Sequence, residues 1–267
     1  MTAIGIILSA AAILLFVPVA ILLVEICCAL VARPTEVPAG EQRQPGMRVA
    51  VLIPAHNEED GVGETVAALA NQIGTSDKLI VVADNCSDAT AARARAAGAE
   101  TIERHDPARR GKGYALEFGV RHLEREPPDF VLIADADCRL GPSAIDTLVA
   151  CVHTTRRPAQ AFYDMSLPDN PDAKRRVAGF AWMIKNHVRP AGLAVLNLPC
   201  QLMGTGMAFP WEALRRIDVA TGNIVEDIRM GLDLAAAGYA PIYCPQARVA
   251  SGFPSTEHGF ADRKSVV

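Results

Sequence analysis

The sequence has 267 residues, half of them apolar, and a formal net charge of -4. Nucleic-acid-binding proteins usually carry a strongly basic surface, so this weakly acidic balance argues against a nucleic-acid partner. Seven cysteines occur without a C-x-x-C pair. This usage favours neither a zinc site nor a disulfide framework, and it is typical of a reducing compartment.

A long apolar segment opens the chain. Residues 3–32 contain one charged residue, Glu25. At about 1.5 Å per residue, a helix of this length can cross a hydrocarbon core of about 30 Å. A cleaved signal peptide would need a basic start and a shorter apolar core of about 7 to 15 residues. We therefore predict a transmembrane anchor over residues 1–32.

The charges that follow this anchor predict its orientation. Arg33, Arg43 and Arg48 come after the helix, and no Lys or Arg precedes it. The positive-inside tendency then predicts a single-pass protein of the inner cell membrane with its C-terminal bulk in the cytoplasm. Residues 33–47 are rich in Pro and Gly and predict a linker, which leaves residues 48–267 for one α/β domain.

Short apolar runs alternate with amphipathic stretches in the first half of this domain. The pattern predicts strands at 48–53, 78–83 and 129–134, with helices at 62–72, 88–97 and 112–125. Such alternation predicts a mostly parallel, Rossmann-like sheet with helices on both faces. Ligands bind beyond the carboxyl ends of the strands in sheets of this kind.

The second half is less regular. We predict strands near 158–164, 202–209 and 240–244, and helices near 171–188 and 226–238. Residues 176–203 are apolar but are interrupted by two prolines and a glycine, Pro190, Gly192 and Pro199, so a second membrane span is not expected. This segment is either an interfacial helix against the bilayer or a buried core helix.

Two aspartates, Asp135 and Asp137, flank Ala136 directly after the third predicted strand. Carboxylates two residues apart at the mouth of a sheet can hold a hard cation that also binds a diphosphate. The alternative is a solvated acidic turn, and the pair by itself does not decide between the two.

Polar clusters also follow the first and second strands, as PAHNE at 54–58 and DNCSD at 84–88. Their side chains and amides could bind a base and its ribose. They could equally serve turns and helix caps, where Asn, Ser and Asp are common. The basic, glycine-containing loop at 109–113 precedes an amphipathic helix and suits an anionic phosphate.

An acidic pair, Glu226 and Asp227, opens the last predicted helix, and the glycine-rich triplet 204–206 precedes it. Acidic residues in a first helical turn are favoured by the helix dipole alone. The functional alternative is a general base that removes a proton from an attacking hydroxyl.

Six motifs in order, PAHNE, VVADNCSD, GKGYAL, DADC, GTG and VED, resemble those of the inverting family 2 glycosyltransferases of GT-A fold. The resemblance covers residues 48 to about 256. It implies that five residues line the nucleotide pocket: Pro54, Ala55, His56, Glu58 and Asp84. It also implies that Lys112 faces the nucleotide or diphosphate.

The same resemblance assigns the metal, acceptor and catalytic positions. Asp135, Ala136 and Asp137 would bind the donor, with the two aspartates holding Mg2+ or Mn2+. Donor sugar and acceptor would lie beside four residues: Gly204, Thr205, Gly206 and Glu226. Asp227 would be the catalytic base.

The function implied is a hexosyltransferase that inverts the anomeric carbon in one direct displacement. The expected donor is a nucleotide-diphosphate sugar, a UDP-sugar first, and the expected acceptor is a lipid-linked or polysaccharide chain at the cytoplasmic membrane face. A sugar-phosphate nucleotidyltransferase is disfavoured, because that chemistry would need a basic, Gly-rich loop after the first strand, where PAHNE stands.

One departure from the family pattern concerns the C-terminal end. Membrane members usually carry a Gln-x-x-Arg-Trp element after the VED helix. Here FPST at 253–256 looks like its lead-in, but RKSVV at 263–267 does not match it. The alternative prediction is therefore a catalytically inactive, membrane-tethered nucleotide-sugar-binding protein.

Overall fold

The computed structural model of the chain describes residues 2–32, 43, 46–220 and 226–252. Most of the predicted linker, together with the motifs at 253–256 and 263–267, lies outside these residues. The predicted anchor is helix α1, Ala3–Val31, and the Thr2 hydroxyl accepts a hydrogen bond from the Gly5 amide at its start. Among the described helices, it alone is long and apolar enough to cross a membrane.

The remaining described chain forms one eight-stranded sheet with nine further helical segments. The strands are β1 Val49–Ala55, β2 Lys78–Asp84, β3 Glu100–Arg104, β4 Phe130–Ile133, β5 Arg139–Leu140, β6 Ala159–Ser166, β7 Met207–Pro210 and β8 Ile242–Gly252. The helices are α2 Val62–Ala70, α3 Thr90–Ala96, α4 Lys112–Leu123, α5 Ala144–Thr155, α6 Ala173–Met183, a π-helical turn Ile184–Val188, α7 Arg189–Val195, α8 Trp211–Leu214 and α9 Glu226–Ala236.

The strand order is β3-β2-β1-β4-β7-β6-β8-β5. The first four strands run parallel, so their carboxyl ends meet at one edge. Strand β7 is antiparallel to β4 and pairs Met207 with Ile133. The loop that enters β7 therefore lies beside the carboxyl end of β4, which brings the glycines at 204 and 206 close to the aspartates after β4.

The core confirms the predicted α/β architecture with helices on both faces. Val49, Val51 and Ile53 of β1 lie in one buried cluster with side chains from α2 and α5. Ala50 and Leu52 lie in a second buried cluster with side chains from α4 and α9. Because successive strand residues point to opposite faces, a strand buried on both sides is apolar throughout.

Strand β1 extends two residues beyond its predicted end, through Pro54 to Ala55. Its pairing with β4 stops at Leu52, whereas its pairing with β2 continues to Ala55. Proline has no N–H to donate to a ladder. It is tolerated here because the neighbouring strand on one side has already ended.

The predicted strand at 202–209 begins only at Met207. Gly204 and Gly206 have φ angles of 86° and 64°, which lie outside the extended region. The predicted strand at 240–244 is instead longer and continues to Gly252, past a bulge opposite Ala161 and Phe162. The pattern did not predict strands β3 and β5, which form the two edges of the sheet, or helices α5 and α8.

The predicted helix at 171–188 continues to Val195. The π-helical turn carries the chain from α6 into α7, and the Arg189 amide donates to the carbonyl of Ile184. Pro190 lies in the first turn of α7. Because the chain is already helical before Pro190, its missing N–H removes one hydrogen bond from the helix, at the point where the π-helical turn changes to α7.

The buried carboxylate of Asp77 connects three segments near the start of the domain. Asp77 accepts hydrogen bonds from the amides of Val49 and Gly74, at 3.0 and 2.7 Å, and from both terminal nitrogens of Arg43. Its side chain is fully buried. Arg43, near the end of the predicted linker, is thereby attached to the domain.

Asp77→Ala should lower the free energy of unfolding by about 2 to 3 kcal/mol, because the amides of Val49 and Gly74 and a guanidinium lose their acceptor. Thermal or denaturant unfolding of the purified chain measures this loss. The exposed Asp60 is the matched control. Equal stability of the Asp77→Ala and Asp60→Ala variants would contradict the prediction.

Candidate active site

A cleft of about 230 Å³ opens at the carboxyl ends of β1 and β2. Its walls come from the ends of these strands and from the loop that leads into α4. The lining residues are Pro54, Ala55, His56, Asp84, Asn85, Arg110, Gly111, Lys112 and Ala115. The structure thus places five of the six predicted nucleotide-binding residues around one cleft, at the edge of the sheet where ligands are expected.

Hydrogen bonds fix the position of Asp84, which lines this cleft. Its Oδ1 accepts hydrogen bonds from Arg104 at 2.5 Å and from the Asn85 amide group at 3.1 Å. Its backbone carbonyl lies 2.7 Å from Nδ1 of His56. Arg104 and Asp84 are both almost fully buried, so a charge pair fixes the ends of β2 and β3.

Two of the residues that follow these strands serve turns. Asn57 and Asn85 adopt left-handed backbone conformations, with φ angles of 54° and 52°. The Asn57 side chain accepts from the Ser87 amide, and the Asn85 side chain accepts from the Asp106 amide, each at 2.8 Å. These hydrogen bonds fit the turn alternative for Asn85 and Ser87, while Asn85 also lines the cleft.

Glu58 is the predicted nucleotide-binding residue that does not line the cleft. Its amide donates to the Thr90 hydroxyl at 2.8 Å, and its carbonyl accepts from the amide of Val62 at the start of α2. Glu58 thereby connects the end of β1 to the two helices that follow β1 and β2.

Lys112, the first residue of α4, bridges two loops. Its ammonium group donates to the Asp135 carboxylate and to the carbonyl oxygen of Gly204, the latter at 2.8 Å. Burial alone would lower the pKa of Lys112, but the Asp135 carboxylate and its hydrogen bond hold that pKa above the ordinary value. The lysine therefore stays charged in the cleft.

The aspartate pair forms a group that could hold a cation. Oxygens of Asp135 and Asp137 and the sulfur of Cys138 lie within 4.8 Å of one another. The Cys138 thiol is buried, which raises its pKa to about 12, and its sulfur lies 2.9 Å from the Ser251 hydroxyl. A protonated thiol is a poor ligand, whereas carboxylate oxygens suit Mg2+ or Mn2+.

Ala136, between the two aspartates, is buried and turned away from the cleft. Its carbonyl oxygen accepts a hydrogen bond of 2.7 Å from the Thr65 hydroxyl on α2. This hydrogen bond attaches the loop that contains Ala136 to α2. The two flanking carboxylates are consequently presented on the open side, where Asp137 is exposed and Asp135 half-buried.

Thr205 and Gln160 form a buried polar support beneath the loop at 203–206. The Thr205 hydroxyl accepts from the Asp135 amide at 3.1 Å and donates to the Cys138 sulfur at 3.3 Å. The Gln160 amide group donates to the Thr205 carbonyl at 2.9 Å, and its oxygen accepts from the Met203 amide at 2.8 Å. Both side chains are fully buried. They join the Asp135 loop to the glycine loop.

Gln160 escaped the sequence interpretation. A single glutamine within an apolar strand, predicted at 158–164, was the available signal, because a fully buried amide needs partners. Gly206 also has a packing role: an added Cβ would lie 2.5 Å from a methyl carbon of Val249.

Glu226 and Asp227 are the first two residues of α9. Ile228 donates its amide to Asp227 Oδ1 at 2.8 Å. Oδ2 would lie 3.8 Å from a Cβ added at Gly204, so this oxygen is next to the glycine loop. Burial is the largest cause that raises the pKa of both carboxyl groups, while nearby Lys112 acts in the opposite direction.

Gln160→Leu should destabilise the loop at 203–206, because the buried Met203 amide and Thr205 carbonyl lose their partner. We expect a loss of about 1 to 3 kcal/mol in unfolding free energy. Gln72→Leu is the matched control, since the buried Gln72 carbonyl oxygen has no hydrogen-bond partner. Unfolding curves of both variants test this; a Gln72→Leu loss as large as that of Gln160→Leu would contradict it.

Comparison with known sequences agrees with this geometry. A family profile described as glycosyltransferase-like family 2 matches residues 45–265. Glucosyl-3-phosphoglycerate synthase of Mycolicibacterium smegmatis is 35% identical over 200 residues, which are 70% of this chain and 64% of that protein. The synthase of Mycolicibacterium paratuberculosis is 35% identical over 103 residues, 36% of this chain and 30% of that protein. The chain thus spans less than two thirds of either relative.

Solved structures show the same fold. Glucosyl-3-phosphoglycerate synthase from Mycobacterium tuberculosis, in complex with Mn2+, UDP and phosphoglyceric acid, is 25% identical with a TM-score of 0.56. The match covers 83% of this chain and 76% of that one. A mannosyltransferase from Pyrobaculum calidifontis with GDP-mannose and Mn2+ has a TM-score of 0.68 at 19% identity, over 98% and 72% of the two chains, and it supports the fold alone.

The resemblance carried by the six motifs is thereby confirmed for the fold and the family. The family match extends over most of the chain and includes the cleft, the aspartate pair and α9. The chain belongs to the glycosyltransferase-like family 2.

Proposed function

We propose that this chain transfers a sugar from a nucleotide-diphosphate sugar, with inversion, to a lipid-linked or polysaccharide acceptor. The observation that carries the proposal is the position of Lys112. Its ammonium group contacts both Asp135 and Gly204, and Asp227 lies beside the same glycine. Donor-binding, metal-binding and acceptor-side residues thus surround one space.

The nucleotide-sugar donor would bind in the cleft at the carboxyl ends of β1 and β2. The base and ribose would lie between Pro54, Ala55, His56 and Asp84, whose side chains and carbonyls line the cleft. The diphosphate would extend towards Lys112 at the amino end of α4. A fixed cation and the first amides of a helix both favour an anion there. A UDP-sugar is the proposed donor, in accord with the UDP in the mycobacterial synthase structure.

The aspartate pair fits a divalent cation. Asp135 and Asp137 would hold Mg2+ or Mn2+, which supplies positive charge to the departing nucleoside diphosphate when it is bound. Two oxygen ligands on the solvent side of a loop leave room for phosphate oxygens to complete the coordination.

Asp227 is the proposed base. The acceptor oxygen attacks the anomeric carbon, the bond from that carbon to the diphosphate oxygen breaks, and the hydroxyl proton passes to Asp227. One displacement inverts the configuration at the carbon. The burial of Asp227 suits this role, because burial raises the pKa of its carboxyl group and makes the carboxylate a stronger proton acceptor. Glu226 and the loop of Gly204, Thr205 and Gly206 would border the sugar and acceptor.

Helix α1 supports an acceptor at the membrane. Its long apolar surface is exposed in the described chain, which suits lipid and not water. We propose that it anchors the protein in the inner membrane, with the domain on the cytoplasmic face. The mycobacterial relatives are named for a phosphoglycerate product, so a soluble acceptor is the competing case.

Asp227→Asn should reduce sugar transfer by about 10² to 10⁴, because the amide cannot accept the proton. Metal-dependent donor binding should persist, since Asp227 does not line the nucleotide cleft. Release of nucleoside diphosphate measures transfer, and a thermal shift with a panel of nucleotide sugars, with and without Mn2+, measures binding.

Two matched controls separate the roles. Asp137→Asn should lose the Mn2+-dependent part of donor binding, whereas Asp233→Asn, on the same helix as Asp227, should alter neither readout. Donor binding by the wild-type chain without turnover on any acceptor would instead support the inactive nucleotide-sugar-binding protein. Turnover only on a phosphorylated small acid would favour the soluble acceptor.

The pH profile provides a further prediction. The base acts as a carboxylate, so turnover falls as the pH decreases through the raised pKa of Asp227. Lys185 lowers this pKa electrostatically. Lys185→Met should therefore move the acid limb of kcat/KM to higher pH. Lys78→Met, at the amino end of β2, should leave the limb in place; an unchanged limb in Lys185→Met would refute the assignment.

A further inference from the structure

Helix α1 is attached to the domain along one side of its last three turns. Glu25, the only charged residue of the helix, is 4% exposed. Its carboxylate forms two hydrogen bonds with Arg189 of α7, at 2.5 and 3.3 Å. The other partly covered residues of these turns lie at helical spacing on the same side, at 22, 26, 28, 29 and 32.

The contact is close enough to bring the two backbones together. A Cβ added at Gly192 would lie 2.0 Å from the carbonyl oxygen of Glu25 and 3.0 Å from its Cα. Only glycine leaves room for this approach. A charged pair and a backbone contact thus hold α1 at a defined position on α7.

The position of the contact on α1 determines the length of α1 that can lie within the bilayer. Residues 3–24 make a helix of about 33 Å, enough for a hydrocarbon core of about 30 Å. The Glu25–Arg189 pair would then lie at the membrane surface, where charges are tolerated. Helix α7 is consequently placed at that surface too.

The segment formed by α6, the π-helical turn and α7 exposes an apolar surface next to this contact. Helix α6 has no buried residue. Val177 and Phe180 are 69% and 61% exposed, and Met183 continues the same side of the helix. Trp182 faces the other way and donates its indole N–H to the Tyr163 carbonyl. The exposed apolar residues continue at the end of α7 and just after it, at 195, 196 and 198.

The charges around this surface match an anionic membrane. Lys174, Arg175 and Arg176 lie in the first turn of α6, and Lys185 follows in the π-helical turn. Basic residues beside exposed apolar side chains are typical of helices that lie in the headgroup region. Lys185, whose ammonium group lies 6.0 Å from the centre of the Trp182 ring, is also near enough to Asp227 to act on it electrostatically.

We infer that the α6–α7 segment is a second membrane-contacting element, which lies in the plane of the bilayer while α1 crosses it. The occupant of its apolar surface is anionic phospholipid. The contact between α1 and α7 sets the orientation of the domain, so that the space beside Asp227 opens at the lipid surface. This consequence for the acceptor rests on the proposed function; the membrane contact itself does not.

The test places a fluorophore on the surface. In the full chain, with Cys27 and Cys28 changed to Ala and Cys86 to Ser, Phe180→Cys is labelled and reconstituted in vesicles of phosphatidylglycerol and phosphatidylcholine with nitroxide-bearing acyl chains. Phe118→Cys is the matched control, a phenylalanine on α4 that is 37% exposed. We expect at least fivefold stronger quenching at position 180 than at 118. Circular dichroism confirms that both variants fold.

The contact between the helices has its own test. Gly192→Ala should lower the Tm and reduce the quenching at position 180, because its Cβ collides with the Glu25 backbone. Gly63→Ala is the matched control, since a Cβ added at this helical glycine meets nothing within 4 Å. Glu25→Arg and Arg189→Glu should each reduce the quenching, and the combined exchange should recover it.

Equal quenching at positions 180 and 118 would overturn the inference, as would a label at 180 that is shielded in a lipid-free oligomer but unaffected by nitroxide lipids. Neither readout depends on turnover. Strong quenching at 180 in a chain that shows no sugar transfer would therefore refute the proposed enzyme activity while supporting the membrane contact.

Discussion

The ammonium group of Lys112 is the interaction on which the arrangement of the site depends. It stands between the Asp135 carboxylate after β4 and the Gly204 carbonyl before β7. The antiparallel ladder between β4 and β7 ends at Ile133 and Met207, so side-chain contacts join the loops that lie beyond it. A charged donor with three N–H groups can satisfy two acceptors and remain directed into the cleft. The Lys112 ammonium group that joins the two loops is therefore also available to bind a phosphate.

Beneath this contact, buried polar side chains hold the backbone that presents the functional groups. Gln160 and Thr205 support the glycine loop and the Asp135 amide, and Arg104 holds Asp84. Each of these groups has been removed from water and must keep its partners. Such supports restrict the positions of carboxylates that would otherwise repel one another. Rigid placement of charges before the ligand arrives is the condition for electrostatic stabilisation of a departing diphosphate.

The contact between α1 and the domain applies the same principle at the membrane. The predicted linker, residues 33–47, joins these two parts along the chain, but one connection does not define the orientation of the cleft. The buried Glu25, its Arg189 partner and the glycine at 192 provide a second connection, far from the linker in sequence. An acceptor confined to a surface needs a catalytic space that faces this surface. Lys185, in the π-helical turn that follows α6, acts electrostatically on Asp227 and so connects this segment to that space.

The sequence by itself determined the α/β class, three parallel strands and their helices, the aspartate pair and the family. Those features depend on local periodicity and on motifs that follow strand ends, which the chain carries without reference to distant contacts. Only the tertiary structure decided that Thr205 faces inward, that Gln160 supports it, that the loop at 203–206 is not a strand, and that Glu25 binds Arg189. These outcomes depend on partners from 43 to 164 residues away. Hydrogen bonds and close packing between such distant residues leave no periodic signal in the sequence, since the fold alone brings them together.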